Sequence, residues 1–329
     1  MPETAGTEDN MKTMKGFMHG VNLGGWMSQC DYSRDRLDRF IAEEDFAKIA
    51  GWGLDHVRLP FDYNVVETAD GSSYLEDGFA RIERAVKLSR KYGLNIVLDL
   101  HKTAGFSFDA GERQSGFFED GLLQERFFRL WEEMAKRFGN DPDHVAFELL
   151  NEVTDQQYCG KWNAIVMTCI ARIRAYAPDT VILVGSYWNN HAYAVKDLDK
   201  PYDDKIVYNF HCYEPLKYTH QGATWISDPS FDIKERIRFI DSGATEEYFE
   251  QMFAEAISKA EANGTVLYCG EYGVIDRVSA EEALPWYRTI CAVFDRHGIG
   301  RATWTYRGMD FEICGERMAP VIDELVRIL

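Results

Sequence analysis

The sequence is short of positive charge. Lys and Arg number 36 against 54 Asp and Glu, a formal net charge of −18 at pH 7. A surface of that sign repels phosphate backbones and anionic bilayers, so nucleic acid and membrane are set aside as partners, and a neutral ligand is favoured. Cysteines are few and unpatterned: Cys30, Cys159, Cys169, Cys212, Cys269, Cys291 and Cys314, an odd number with no CxxC. Several lie inside apolar runs, where a thiol acts as a small hydrophobe. That excludes a disulfide framework and a Cys-based zinc site, and it fits a reducing compartment. No run reaches transmembrane length, and the polar stretch Met1–Lys15 has no apolar signal core. A cytoplasmic location is expected as the sequence stands, secretion only if a signal has been removed. GxGxxG, GxSxG and HExxH are all missing. A dinucleotide loop, a serine-hydrolase elbow and a helical zinc site are therefore disfavoured.

What the chain does have is apolar material, 46% hydrophobic and 14% aromatic over 329 residues, enough for a large core. Short apolar runs read as strands at residues 17–22, 55–60, 94–101, 147–152, 180–185, 205–211, 265–270 and 301–304. Pro60 is expected to stop the second. Helical patterns lie between them at residues 37–50, 78–92, 122–138, 162–176, 245–263 and 283–297, with a last helix at 317–329. Eight strands alternating with helices, and no Pro/Ser linker, define an α/β chain with parallel strands. The pattern matches a (β/α)8 TIM barrel better than a doubly wound sheet, which would want a phosphate fingerprint after its first strand. The expected organisation is a flexible leader over 1–15 and a single domain over 16–329. The stretch from about 212 to 245 is too long for an ordinary connection after a sixth strand. It carries Tyr213, Tyr218, His220, Trp225, Phe231, Ile233 and Phe239, and is expected to form a lid or inserted subdomain, with a plain surface excursion as the alternative.

In such a barrel the carboxyl ends of the strands converge on one face. Those ends carry Asn22, Arg58, His101, Asn151 with Glu152, Ser186 with Trp188, His211 with Tyr213, Glu271, and Trp304. Taken singly, a strand-end Glu is usually solvated and a buried His usually serves the core. Their joint occurrence on one face points to a site. Glu152 and Glu271, at the ends of two different strands, can face each other across a cleft. Cleavage of a glycosidic bond needs such a pair, one carboxyl holding a proton and one ionised. Arg58 is a natural companion for an ionised Glu271, and Asn151 offers an amide to a sugar hydroxyl. Trp188 and Trp304 offer flat faces for stacking. His101 and His211 with the two Glu could also ligate a metal, but no ligand spacing supports that; neither metal nor cofactor is expected.

Several stretches resemble glycoside hydrolase family 5, in the clan whose acid/base and nucleophile follow strands four and seven. They are Gly20-Val21-Asn22-Leu23-Gly24-Gly25-Trp26, Asp55 to Tyr63, Ala146 to Val153, Ile206 to His211 and Leu267 to Val274. The similarity runs from about Gly20 to Leu329 and is strongest to single-domain endoglucanases of the endoglucanase C type. It implies that Glu152 is general acid then base, and that Glu271 is the nucleophile, oriented by Arg58 and Tyr213. It further implies that His211 supports Glu152, that His101 and Asn151 bind the sugar beside the cleaved bond, and that Trp304 floors that subsite, with a cis bond to Thr305. Val153 stands where the family often has Pro, and the region 214–244 is shorter than that type's insertion. The expected activity is that of a retaining endo-β-1,4-glucanase on soluble cellulose and mixed-linkage β-glucan, working as a monomer on a polysaccharide or oligosaccharide. Trp26, Phe106, Trp188 and Trp225 are expected to line its cleft. The alternatives are the same mechanism on β-mannan, xyloglucan, xylan or β-1,3-glucan, and, more remotely, a carbohydrate-binding barrel without catalysis.

Overall fold

A computed structural model of the protein describes residues 13–109, 115–226 and 228–329. Eight parallel strands close on themselves in chain order: β1 (His19–Asn22), β2 (His56–Asp62), β3 (Asn95–Lys102), β4 (Val145–Glu148), β5 (Ile182–Val184), β6 (Ile206–Cys212), β7 (Leu267–Tyr272) and β8 (Gly300–Thr303). Helices pack outside this ring, so the strands are buried on both faces and read as apolar runs without clean alternation.

The helix ends follow local chemistry. Asp120, Thr245 and Ser279 each accept a backbone N–H at a helix start, and Gly264 and Gly298 take the left-handed conformation just past helix ends. The helix expected over 37–50 is broken into Arg34–Arg39 and Glu43–Gly51. Asp45 causes the break: its carboxylate accepts the Ala42 N–H at 2.8 Å and also holds Tyr306 and Arg307. The last helix is shorter than expected, Ile322–Ile328, because Pro320 precedes it.

β2 runs through Pro60, contrary to expectation. The missing N–H costs nothing there. β1 pairs with β2 only as far as Arg58; beyond Leu23 the chain bends away and rejoins β2 at Met27, beside Phe61, so Pro60 falls in the gap between the two contacts. The expected leader falls on residues 1–12, outside the described residues, and on 13–15. Of the latter, Met14 is buried and plugs the barrel floor.

Alternate residues of each strand face the lumen. Its lower layer is apolar: Val97, Ala146, Leu183, Val207, Tyr268 and Ala302, one from each of β3 to β8, close over Met14 and Phe17. His56 of β2 joins them, bonded to Tyr268 at 2.7 Å. Two residues further along, the lumen turns polar. Asn22, Arg58, Asp99, Glu148 and Asn209 are all fully buried. The β6–β7 register slips at this level, with Phe210 opposite Cys269 but His211 opposite Glu271. Gly270 is the extra residue of that bulge, and the bulge re-aims Glu271 toward the lumen.

Among its described residues the connection after β6 forms no separate core: Tyr218, Ala223 and Ala244 join the main one, and two short turns, Leu216–Thr219 and Phe239–Asp241, are regular. Gln221 pins the excursion by bonding Ile237 in both directions.

The floor offers a stability test. A Cβ on Gly20 would lie 2.3 Å from the His56 ring, which is itself locked between Asp55 and Tyr268. Gly20→Ala should cost about 1–3 kcal/mol through overpacking and lower the thermal midpoint by several degrees. An unchanged melting curve would contradict the packing described.

Candidate active site

Arg58 enters the lumen from β2 and organises everything above the floor. Its Nε and Nη2 grip the Glu148 carboxylate at 2.7 and 2.8 Å, a paired contact. Nη1 reaches Asn22 at 2.8 Å and Glu271 at 2.9 Å, and Nη2 also reaches Asn151 at 2.9 Å and Asp99 at 3.0 Å. Asn209 completes the ring by donating to Glu148 at 2.8 Å and accepting from the Gly270 N–H. Each of these side chains makes at least one hydrogen bond or ion pair, which offsets the cost of burying it, while Asp99 Oδ1 and Asn151 Nδ2 have no partner among the described residues.

Glu271 stands at the top of this ring. Its Oε1 takes the Arg58 bond, and its Oε2 accepts from the Tyr213 hydroxyl at 2.8 Å. Glu152 lies opposite, beyond the end of β4. The strand proper stops at Glu148, but Leu149 and Asn151 continue its ladder by bonding Leu183 and Leu100. Glu152 Oε1 is 2.9 Å from His211 Nδ1, and its Oε2 accepts the Asn189 amide at 2.9 Å. Facing atoms of Glu152, His211 and Glu271 all lie within 4.8 Å of one another. A cation could draw such a trio together. The hydrogen bond already joining Glu152 to His211 fits a shared proton better.

Burial raises both carboxyls to about 7. Their neighbours oppose that rise at each. Glu271 touches a permanent cation and a phenol, both of which favour its anion, and lies 3.8 Å from the His211 ring. Glu152 touches an imidazole and an amide, the amide favouring its own anion. That imidazole, His211, is buried and pushed down to about 4, so it is neutral. Both carboxyls are held near 7, and of the two only Glu271 has a permanent cation in direct contact. Asp99 is raised to about 7 by burial, and Glu148 is raised as well. His101, bonded to Asp99 at 2.6 Å, is held neutral by burial.

The cleft over these groups measures about 710 Å3. Trp304 lies flat against His101, ring planes 1° apart, and its peptide to Thr305 is cis. Trp188 and Trp225 line the cleft with half of each side chain exposed, 50% and 49%. Rings this exposed at a concave site are suited to stacking on a ligand. A second groove, about 460 Å3, runs between helices Glu76–Lys91 and Gly121–Phe138. Its charges pair with one another, Arg137 with Glu76 and Lys87 with Glu83, and it lies away from the strand ends.

The structure gathers Arg58, His101, Asn151, Glu152, His211, Tyr213, Glu271 and Trp304 around this cleft, with Trp188 at its wall. Trp26 is not there. It is fully buried, its indole N–H bonded to Leu37 at 2.9 Å, because the Gly24-Gly25 bend turns it back into the core. Phe106 is also buried, against Phe118, and Phe108 lines the cleft in its place. Sequence reasoning passed over Asp99, Glu148 and Asn209, which hold the ring, and Asn189, which lines the cleft; His220, read only as part of the long connection after β6, lines it too.

Two carboxyls a few ångströms apart, in a cleft lined by aromatic rings, are what the cleavage of a glycosidic bond requires; the barrel is that of a glycoside hydrolase. The chain belongs to glycosyl hydrolase family 5, whose cellulase model matches residues 8–310. It is 60% identical to cellodextrinase A of Ruminococcus flavefaciens, over 88% of this chain and 86% of that one. Endoglucanase C of Acetivibrio thermocellus is 36% identical, over 96% and 98%. The same fold recurs in the crystal structure of a hyperthermophilic endo-β-1,4-glucanase in complex with substrate, at 22% identity and TM-score 0.80, covering 95% of this chain and 97% of that one.

The raised acids make stability depend on pH. Asp99, Glu152 and Glu271 bind protons more tightly folded, at about 7, than unfolded, near 4. Their contribution is complete below the unfolded value and is lost as pH rises through the folded one. The buried histidines His101, His144, His211 and His220, held below their ordinary value, contribute in the opposite direction. The Glu152 share is therefore read as a difference: the thermal midpoint of Glu152→Gln should gain on the parent's as pH rises from about 5 to about 8. Paired melting curves check this; a difference that stays constant or shrinks contradicts the raised Glu152 value.

Proposed function

We propose that this protein is a retaining β-1,4-glucanase acting on soluble cellulose chains and mixed-linkage β-glucan. The observation that carries the mechanism is the approach of Glu152 and Glu271. Retaining enzymes hold their carboxyls about 5–5.5 Å apart, whereas inverting ones need about 6.5–9.5 Å to seat a water between them. Facing oxygens within 4.8 Å support direct attack on the sugar.

In this reading Glu271, anionic beside Arg58 and Tyr213, attacks the anomeric carbon. Glu152 gives its proton to the departing oxygen. The glycosyl-enzyme ester is then opened by a water that Glu152, now a base, deprotonates. Neutral His211 accepts or returns a hydrogen bond without competing for the charge. Asn151 has a buried Nδ2 with no partner among the described residues, a donor suited to a sugar hydroxyl. His101 and Trp304 together form the flat floor on which that sugar rests.

Glucan as the substrate is supported by the relatives. One at 60% identity is named a cellodextrinase and one at 36% an endoglucanase. The first favours short soluble chains, and the cleft, large enough for a few sugar rings, accords with that. Glu271→Ala should lower kcat/KM on cello-oligosaccharides and barley β-glucan by at least about 1,000-fold. Glu152→Ala should trap the glycosyl-enzyme from an aryl cellobioside with a good leaving group, and azide should release it as a β-glycosyl azide. An α-azide product, or a Glu271→Ala protein as active as the parent, would sink the mechanism. A panel including mannan, xylan, xyloglucan and β-1,3-glucan tests the substrate: fastest turnover on any of those overturns the glucan assignment.

A further inference from the structure

After β5 the chain does something ordinary side chains avoid. Trp188, Asn189 and Asn190 all take the left-handed conformation, with φ of 52°, 56° and 57°. None is glycine. Such a conformation is sparsely populated for L residues, Asn being the most tolerant, and it persists only where the surroundings hold it. Two contacts tie it to the segment that carries the acid/base carboxyl, one through the backbone beside Glu152 and one to the carboxyl itself. The Asn189 backbone N–H donates to the Val153 carbonyl at 2.9 Å, the residue directly after Glu152. The Asn189 side chain donates through Nδ2 to Glu152 Oε2, also at 2.9 Å. Beneath it Asn190 is buried beside His211, packed so closely on Gly185 that a Cβ there would meet its amide at 2.2 Å.

We propose that the left-handed turn at residues 188–190 is a clamp on Glu152, with Asn189 as the positioning residue that fixes the carboxyl and limits how tightly it holds its proton. The proposal rests on the reading of Glu152 as acid and base. An amide N–H can only donate to Oε2, so it favours the ionised carboxyl and opposes the effect of burial. Burial alone would give a strong proton holder that is slow to become the base of the second step. The amide keeps the group usable in both. Oε1 faces His211 at the same time, so the carboxyl is gripped at both oxygens and its rotation is fixed.

Because glycine accepts the same φ, Asn189→Gly removes the amide while leaving the turn free to form. Its melting temperature should stay close to the parent's. The alkaline limb of kcat/KM, set by loss of the Glu152 proton, should move up by about 0.5–1 pH unit. At acidic pH, turnover of an activated aryl cellobioside should fall, as Glu152 becomes reluctant to act as base. Asn189→Asp, which keeps the turn but replaces the donor with a carboxylate, should move the limb further. An unmoved limb with a uniformly raised KM would make Asn189 a substrate contact and overturn the proposal; so would a profile identical to the parent's. Glu152→Gln serves as the control. If it keeps the parental profile, the role of Glu152 is at fault. If it loses the alkaline limb while Asn189→Gly leaves that limb unmoved, the clamp alone fails.

Discussion

A guanidinium buried without partners would be ruinous, and Arg58 is wholly buried. Its burial is tolerated because Glu148, Asn22, Glu271, Asn151 and Asp99 meet its donors between them. The site is a consequence of that requirement. Four carboxyls, those of Asp99, Glu148, Glu152 and Glu271, crowd around one positive charge, and the surplus cannot all remain ionised away from water. Protons must be retained somewhere in the cluster. Asp99, Glu152 and Glu271 are all held near 7, and of these Glu152 alone has no bond to Arg58. In the proposed mechanism that difference in contact is what sets the proton donor apart from the anion.

That arrangement was partly written in the sequence. Strand-end residues are legible because a barrel exposes only those ends to ligand, so Arg58, His101, Glu152, His211 and Glu271 could be collected without coordinates. The ring beneath them was readable too, by counting in twos. Asp99 precedes His101 by two, Asn209 precedes His211 by two, and Glu148 follows the lumen residue Ala146 by two. Reading strand ends alone skipped that layer. Glu271 breaks the count, since Gly270 is the lumen-facing position, and only the bulge brings the next residue inward. No periodicity announces a bulge.

Other features had no sequence signal strong enough to act on. Trp26 follows a double glycine, and such a bend can throw the next side chain outward or back; packing against the helix that carries Leu37 decided it. Pro60 looked like a stop because the rule concerns a lost ladder bond, and here the neighbouring strand had already ended. The left-handed run at 188–190 contains two asparagines, a faint hint of that conformation, but nothing in the letters says that three residues in succession adopt it.

The crowding of acids also accounts for the kind of ligand the cleft can take. An anionic substrate would meet four carboxyls and a protein of net charge −18. A neutral sugar adds no charge and, on entering, removes the water that still reaches Glu152, whose side chain is 12% exposed. Removing that water penalises the ionised form of Glu152 further. Glu271 is shielded from the same penalty by the Arg58 and Tyr213 bonds, which do not depend on solvent. Binding therefore widens the gap between the two carboxyls in the direction the proposed first step needs. Once the leaving sugar departs and water returns, the gap narrows again, and Glu152 regains the basicity demanded of it in the second.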